Sequence, residues 1–235
     1  MNTYTPTWFE LFLATIEPAQ TEREADFLAR QLPLPALRRV LDLCCGTGRH
    51  AHALARRGYE VLGVDRDPDA VEKARAQAPE VCRFLVGDMR DLSEVPGDLD
   101  AALVLWQSFG FFDEATNAAV LRGLHGRLRP GGRLILDVYH RDFFEAHQGE
   151  GHFTRGGLAV AEHKRMAGGR LRVELDYGGE QEGDAFDWQL YTPGELEELA
   201  RSVGLTCLLA CTGFDERQPA SAASPRMQLV FAREG

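Results

Sequence analysis

A chain of 235 residues with 44% hydrophobic and 26% charged residues has the composition of a soluble globular protein with one large core. It has no apolar run long enough to cross a bilayer, its N-terminus lacks a signal-peptide pattern, and its five cysteines show no disulfide-framework spacing. Its net charge of −10 argues against nucleic acid as the main partner, because binding a polyanion requires basic surface. We therefore expect a cytoplasmic protein without membrane or nucleic-acid partners.

The first 138 residues alternate short apolar runs with helical patterns, which is typical of βαβ units and a parallel sheet. Thr21-Glu-Arg-Glu24 has the form of a capping box, so we predict a helix that begins there and ends before Pro33. Further helices are predicted after Gly48, after Asp67 and after Glu114. The five predicted strands are Arg39–Leu43, Glu60–Val64, Cys82–Val86, Leu99–Leu105 and Arg133–Val138.

From Tyr139 to Tyr191 the chain becomes rich in glycine and aromatic residues. A hairpin is predicted there, with strands Leu158–Arg165 and Leu171–Tyr177 joined at Gly168-Gly169. Thr192-Pro-Gly-Glu195 is a second capping box, and two final strands follow. We predict one domain in four parts: an N-terminal helical cap (1–37), a core (38–138), a lid (139–191), and a C-terminal helix with closing strands (192–235).

Candidate ligand-binding residues follow the ends of four predicted strands. Gly46 and Gly48 form a tight turn between the first strand and its helix, where backbone can approach a ligand closely. Asp65 ends the next strand, where a carboxylate can accept hydrogen bonds from both hydroxyls of a ribose. Gly87-Asp-Met89 and Trp106-Gln-Ser-Phe-Gly110 follow the third and fourth strands. Ligands bind at this carboxyl edge in open α/β sheets.

In order and spacing these segments resemble the class I S-adenosylmethionine-dependent methyltransferases, over roughly residues 38 to 138. The resemblance implies an α/β fold: a Rossmann-like, doubly wound, mostly parallel seven-stranded sheet with helices on both faces. A small antiparallel β lid is expected after strand five. It also implies S-adenosylmethionine as cofactor and methyl transfer to a small-molecule acceptor, by a monomer or homodimer. The matching segments are Leu41–Gly48, Gly63–Asp65, Gly87–Met89, Asp100–Leu105 and Leu128–Gly132.

The resemblance further assigns cofactor contacts to individual residues. The turn is expected to hold the methionine part, with Asp42 near its amino group. Asp65 is expected to hold the ribose and Asp88 the adenine amino group. Cys44 departs from the family's usual glycine, so we expect a slightly altered turn. The full set of expected cofactor-binding residues is Asp42, Cys44, Cys45, Gly46, Gly48, His50, Asp65, Arg66, Asp88, Met89 and Trp106.

Methyl transfer depends mainly on a held and oriented nucleophile, so no catalytic residue is assigned. Tyr139 and His140, just past strand five, are the only candidates. The acceptor pocket is predicted to combine the N-terminal segment (Tyr4, Trp8, Phe9), the loop after Trp106 and the Tyr139–Tyr191 insertion. The aromatic residues of this insertion either line the pocket or pack the hairpin onto the sheet. No metal site is predicted, because Cys44-Cys45 lacks the usual ligand spacing.

Three alternatives stay open at this point. Gly46-Thr-Gly-Arg-His-Ala51 also satisfies the fingerprint of an NAD(P)-dependent oxidoreductase, although Asp42 within the strand is unusual for one. The chain could instead bind the cofactor without catalysis. It could also transfer an aminopropyl group from a decarboxylated donor, for which no additional acidic site is evident.

Overall fold

The main sheet has eight strands in a computed structural model that describes residue 2, residues 4–179 and residues 181–235. Their spatial order is β11-β10-β12-β5-β4-β1-β2-β3. Strands β1 to β5 run parallel, whereas β12 is antiparallel to both of its neighbours, β5 and β10. The strands are β1 (Arg39–Leu43), β2 (Glu60–Asp65), β3 (Cys82–Val86), β4 (Leu99–Val104), β5 (Leu128–Tyr139), β10 (Leu205–Thr212), β11 (Asp215–Pro219) and β12 (Arg226–Arg233).

Helices cover both faces of this sheet, as the doubly wound prediction requires. Phe27 and Leu28 share one apolar core with Leu54 and Val71, whereas Leu121 belongs to the core on the opposite face. Strand β4 is buried along its whole length, and all of its residues except Asp100 are apolar. The helices are α1 (Pro6–Trp8, continued by a π-helical turn, Phe9–Leu13), α2 (Pro18–Gln31), α3 (Arg49–Ala55), α4 (Pro68–Ala76), α5 (Glu114–Arg127), α6 (Arg141–Ala146) and α7 (Pro193–Arg201).

The insertion after β5 forms a separate four-stranded antiparallel sheet, which confirms the predicted antiparallel insertion and extends the predicted hairpin by a strand on each side. One of its faces is apolar and packs against the N-terminal segment, so that Leu11 and Trp8 join Phe186 and Trp188 in a third core. The strands are β6 (Gly149–Arg155), β7 (Leu158–Ala167), β8 (Arg170–Asp176) and β9 (Asp184–Gln189).

Two features of the predicted fold are corrected by the structure. The main sheet has eight strands instead of seven, because Asp215–Pro219, between the two predicted final strands, forms the short edge strand β11. Helix α2 begins at Pro18 with Glu17 as its N-cap, so the predicted capping box at Thr21 is wrong. Proline is favoured at the first helical position, because no intrahelical hydrogen bond is lost through its missing N–H. The helix therefore begins at Pro18, and the capping pattern at Thr21 lies inside it. The second predicted box is confirmed, with Thr192 and Glu195 capping α7 reciprocally.

Within the described residues, none of the helices has both the length and the apolar character of a membrane span.

Candidate active site

A cavity of about 700 Å³ opens at the carboxyl ends of the parallel strands. A volume of this size accommodates a small-molecule ligand. Ten of the eleven expected cofactor-binding residues line it: Asp42, Cys44, Cys45, Gly46, His50, Asp65, Arg66, Asp88, Met89 and Trp106. Gly48 does not line the cavity; its φ of 81° favours glycine, and a Cβ at this position would lie 3.0 Å from the Phe84 ring of β3.

The turn after β1 has the backbone of a glycine turn even where it lacks glycine. Cys44 has a φ of 62°, a left-handed conformation in which a non-glycine residue is strained, and Gly46 follows with a φ of 54°. The Cys44 thiol lies 3.8 Å from the Met89 sulfur and is thereby directed toward the residue after β3. The family usually has glycine at position 44. This chain has cysteine there but keeps the left-handed backbone conformation that glycine adopts easily.

Asp65 joins the end of β2 to the glycine turn. Its carboxylate accepts hydrogen bonds from the Gly46 N–H at 2.8 Å and from the Asp67 N–H at 3.0 Å. These contacts hold the carboxylate at the cavity wall, where unused lone pairs can accept from a ligand hydroxyl. Beside it, the Arg66 guanidinium donates to the backbone carbonyl of Asn2, which ties the N-terminal segment to this edge.

Asp88 is already paired in this structure. Both of its carboxylate oxygens accept from the Arg90 guanidinium, at 2.9 and 2.6 Å, and this hydrogen bonding holds the pKa of Asp88 below its usual range. The side chain is one-third exposed, so lone pairs remain for an additional donor. Met89 beside it is buried and lines the cavity.

Asp42 is a buried carboxylate whose Oδ2 has no hydrogen-bond partner among the described residues. The residue is 2% exposed and lines the cavity. Burial raises the pKa of Asp42 to about 7, although the nearby Arg49 guanidinium acts in the opposite direction. An unpaired buried carboxylate is costly, so this position is suited to a cationic group supplied by a ligand.

Glu24 is the centre of a buried network that the sequence did not reveal. Its carboxylate lies 2.7 Å from His50 Nε2 and 2.6 Å from Arg49 Nη1, and it accepts from the Trp106 indole N–H at 3.3 Å. Burial raises its pKa, but the contacts with His50 and Arg49 outweigh this and lower the pKa of Glu24 to about 2. The capping pattern predicts a local role for Glu24, but these three partners are distant in sequence.

The loop after β4 is held in place by Asp137 of β5. Trp106 and Gln107 both have positive φ values, 56° and 59°, which is a strained backbone for non-glycine residues. The Asp137 carboxylate accepts from the Trp106 N–H at 2.9 Å and from the Gln228 amide at 2.8 Å, and it pairs with the Arg226 guanidinium. Two guanidinium groups lie over the Trp106 ring, with the Cζ of Arg49 4.6 Å and that of Arg226 5.2 Å from its centroid.

The other walls of the cavity come from two of the three predicted segments. The N-terminal segment contributes Tyr4, Trp8 and Phe9, and the loop after Trp106 contributes Ser108, Phe111 and Phe112. None of the described residues of the Tyr139–Tyr191 insertion lines the cavity, so that part of the pocket prediction is wrong. The aromatic residues of the insertion pack among themselves and against the N-terminal segment.

The two candidate catalytic residues lie behind this wall. The Tyr139 ring packs against those of Phe144 and Trp188, with centroid distances of 4.8 and 5.8 Å. His140 is 3% exposed, and its Nδ1 has no hydrogen-bond partner within the described ranges. Neither residue lines the cavity. A catalytic role for either stays a prediction.

Known protein families and solved structures resemble this chain in sequence and in fold. Residues 40–132 match the methyltransferase domain family. The chain therefore contains a methyltransferase domain and has the fold of S-adenosylmethionine-dependent methyltransferases. A glycine/sarcosine N-methyltransferase of Parasynechococcus marenigrum is 32% identical over 151 residues, which are 62% of this chain and 50% of that protein. The chain spans about half the length of the curated relatives it matches.

Solved structures of low sequence identity share the fold along almost the whole chain. An S-adenosylmethionine-dependent methyltransferase from Clostridium acetobutylicum superposes with a TM-score of 0.80 at 15% identity and covers 97% of both chains. CalS10, an amino pentose methyltransferase from Micromonospora echinaspora, gives a TM-score of 0.72 at 21% identity and covers 99% of both chains. The likeness therefore extends through the antiparallel insertion.

Proposed function

We propose that this protein transfers a methyl group from S-adenosylmethionine to a small-molecule acceptor. The observation that carries the proposal is the unpaired, buried carboxylate of Asp42 in the same cavity as Asp65. Asp42 matches the ammonium group of the cofactor's methionine part, and Asp65 matches its ribose hydroxyls. The cavity residues therefore match S-adenosylmethionine at two chemically different groups, its ammonium and its ribose hydroxyls.

When bound, S-adenosylmethionine supplies an electrophilic methyl group on a sulfonium, which passes to the acceptor's nucleophilic atom and leaves S-adenosylhomocysteine. The contribution of the chain is to orient and to exclude water. Trp106, fixed through Asp137 and Glu24, gives the donor end a rigid wall. The aromatic residues Tyr4, Trp8 and Phe9 also line the cavity. A proton lost by a hydroxyl acceptor would need a base, for which Tyr139 and His140 stay the proposed candidates.

Aromatic cavity walls favour an apolar or cationic acceptor over a polyanion. Two of the similar proteins are named for acceptors with an amino group, glycine/sarcosine and an amino pentose. We propose an amine of comparable size as the first acceptor to test. The charge of −10 supports the further proposal that nucleic acid is not the acceptor. Five cysteines without disulfide-framework spacing support the proposal that the protein works in the cytoplasm, and we propose a monomer or homodimer.

Calorimetry with S-adenosylhomocysteine tests the cofactor assignment, with NAD and NADP as competing ligands. We expect only S-adenosylhomocysteine to bind. Asp65→Ala should weaken binding at least about 100-fold, since each hydrogen bond to a charged group contributes roughly 1.5 kcal/mol or more. Asp69→Ala, an exposed carboxylate outside the cavity, is the matched control and should bind normally.

The calorimetry also separates the alternatives. Binding of NAD instead would identify an oxidoreductase, although the antiparallel β12 departs from the parallel 3-2-1-4-5-6 order of that fold. Release of S-adenosylhomocysteine during incubation with glycine, sarcosine or an amino sugar would establish turnover. Tight binding without turnover on a wide acceptor panel would favour a non-catalytic cofactor-binding module.

A further inference from the structure

His50 and Glu24 form a buried pair at the wall of the cavity. His50 Nε2 lies 2.7 Å from Glu24 Oε2, and the His50 side chain is 7% exposed. His50 lines the cavity, whereas Glu24 does not. The pKa of Glu24, lowered to about 2, keeps its carboxylate ionised, so that it can only accept hydrogen bonds. The pair therefore favours the imidazole tautomer that carries its proton on Nε2.

The second ring nitrogen of His50 is available on the cavity side. Nδ1 has no hydrogen-bond partner among the residues that the structure describes. It is nevertheless not cut off from solvent, unlike the partnerless Oδ2 of Asp42. Because His50 lines the cavity, Nδ1 is open to a ligand from that side. In the tautomer that Glu24 favours, Nδ1 carries a lone pair and can take up a proton.

The surroundings of His50 suit a group that is neutral at rest and charged for a moment. Desolvation lowers the pKa of His50 below its usual range, against the hydrogen bond to Glu24, and the nearby Arg49 guanidinium lowers it further. The ring is therefore neutral near pH 7. Once Nδ1 takes up a proton, the Glu24 carboxylate stabilises the resulting imidazolium. A base oriented by a second group is the arrangement that proton transfer requires.

The pair also lies beside the part of the cavity that is proposed for the reacting groups. The Glu24 carboxylate contacts His50 through Oε2 and the Trp106 indole through Oε1, so the two rings share one carboxylate. Trp106 forms the wall at the donor end. Thr21, three residues before Glu24 on α2, lines the cavity together with Pro18 of the same helix. An acceptor atom that reaches the methyl group between these walls comes close to His50.

We propose that His50 is the general base that takes the proton from the acceptor and that Glu24 is its positioning residue. The inference rests on the proposed function. The nitrogen of an amine acceptor attacks the methyl carbon, so that the N–C bond forms and the S–C bond breaks with its electron pair staying on sulfur. The ammonium product gives its proton to His50 Nδ1, from which it passes to water. The earlier candidates, Tyr139 and His140, do not line the cavity.

Substitution of His50 separates a base from a structural histidine. His50→Gln can still donate to Glu24 but cannot take up a proton, so kcat for methylation of sarcosine or glucosamine should fall about 100-fold or more. The KM for the amine and the calorimetric affinity for S-adenosylhomocysteine should stay within about threefold. His52→Gln is the matched control and should change neither quantity. His52 is buried in the same helix, contacts the Ala74 carbonyl at 3.0 Å and does not line the cavity.

Nitrogen-15 NMR of histidine-labelled protein tests the tautomer without an acceptor. In protein saturated with S-adenosylhomocysteine, the signals missing from His50→Gln should show a protonated Nε2 and an unprotonated Nδ1 in the wild type. Glu24→Gln, whose amide both donates and accepts, should give a mixture of tautomers and a smaller loss of kcat. A protonated Nδ1 in the neutral wild-type ring would overturn the proposal.

The kinetic outcomes distinguish failure of the inference from failure of the proposed function. If the wild type methylates a probe amine and His50→Gln does so within about threefold of the same rate, only the inference fails. A parallel loss of turnover and of affinity for S-adenosylhomocysteine in His50→Gln also overturns it, because His50 then acts on the donor. If the wild type does not bind S-adenosylhomocysteine, the proposed function fails, and the inference fails with it.

Discussion

The parallel core and the antiparallel insertion each contain a buried carboxylate that fastens one wall of the cavity. In the core, Asp137 is fully buried and holds the loop that carries Trp106. In the insertion, Asp184 is 4% exposed and holds the N-terminal segment by accepting from the Thr5 N–H at 2.9 Å and the Thr5 hydroxyl at 2.7 Å. Each carboxylate holds a neighbouring segment in place through hydrogen bonds, but only Asp137 belongs to a region that lines the cavity.

The difference shows how an insertion contributes to a site that it does not line. Its strand β9 also pairs with the loop after β4, through the Gln189 N–H and the Gly110 carbonyl at 2.7 Å. On β8, Arg170 donates to the Phe112 carbonyl at 2.9 Å. The insertion thus supports both aromatic walls from behind. Substitutions there should change the shape of the acceptor end, whereas substitutions in the core should affect the cofactor end directly.

The largest effect is expected from Asp137→Asn. The amide removes the buried charge that pairs with the half-buried Arg226 guanidinium. Breaking a buried pair by removing one partner costs about 3–5 kcal/mol of unfolding free energy. Urea denaturation measures it, with Asp91→Asn as the exposed control. A loss below about 1 kcal/mol would show that the core wall does not depend on this carboxylate.

A smaller and more local effect is expected from Asp184→Asn. The substitution weakens hydrogen bonds from Thr5 and from the Tyr177 hydroxyl at 2.5 Å, at a cost of about 1–3 kcal/mol. Hydrogen exchange should accelerate in residues 5–13 while the amides of β1 and β4 stay protected. Glu174→Gln, exposed on the neighbouring strand β8, should leave exchange unchanged. Uniform acceleration through both sheets would mean that the insertion and core do not act separately.

The core and the insertion also differ in how far the sequence could predict them. The strands of the core and ten cavity-lining residues followed from motifs whose members lie at fixed positions on successive strands. Asp65 meets the glycine turn because β2 pairs in parallel with β1, so that the carboxyl ends of both strands lie at the same edge. No comparable rule places the residues of the insertion. The sequence therefore leaves open whether its aromatic residues line the pocket or form a core.

Glu24 shows a second limit of prediction from sequence. A local sequence pattern can match a residue whose main contacts are distant along the chain. Its spacing from Thr21 satisfied a capping pattern, but proline at position 18 starts the helix one turn earlier. The side chain was then free to face Trp106, 82 positions away along the sequence. Only the packing of α2 against α3 and β4 brings these residues together, and no pattern within a helix encodes that contact. For the same reason, the sequence did not reveal the pairing of Asp137 with Arg226.

The smallest predicted effect concerns the cofactor end alone and uses pH to test Asp42. Burial raises the pKa of Asp42 to about 7, so in the ligand-free protein the carboxyl is protonated below that pH. Stability from this neutral form is present at low pH and is lost as the pH rises through about 7. A ligand ammonium needs the ionised form, so binding of S-adenosylhomocysteine below pH 7 must release a proton.

We therefore expect the affinity for S-adenosylhomocysteine to fall up to about tenfold per pH unit below 7 and to level off just above it. Calorimetry in buffers of different ionisation enthalpy measures both the slope and the proton released. His50 also lies at this end of the cavity, and burial lowers its pKa, so a matched variant is needed. Asp42→Asn should bind more weakly and without the slope. If the slope persists in Asp42→Asn, another group carries it, and the ammonium contact assigned to Asp42 is wrong.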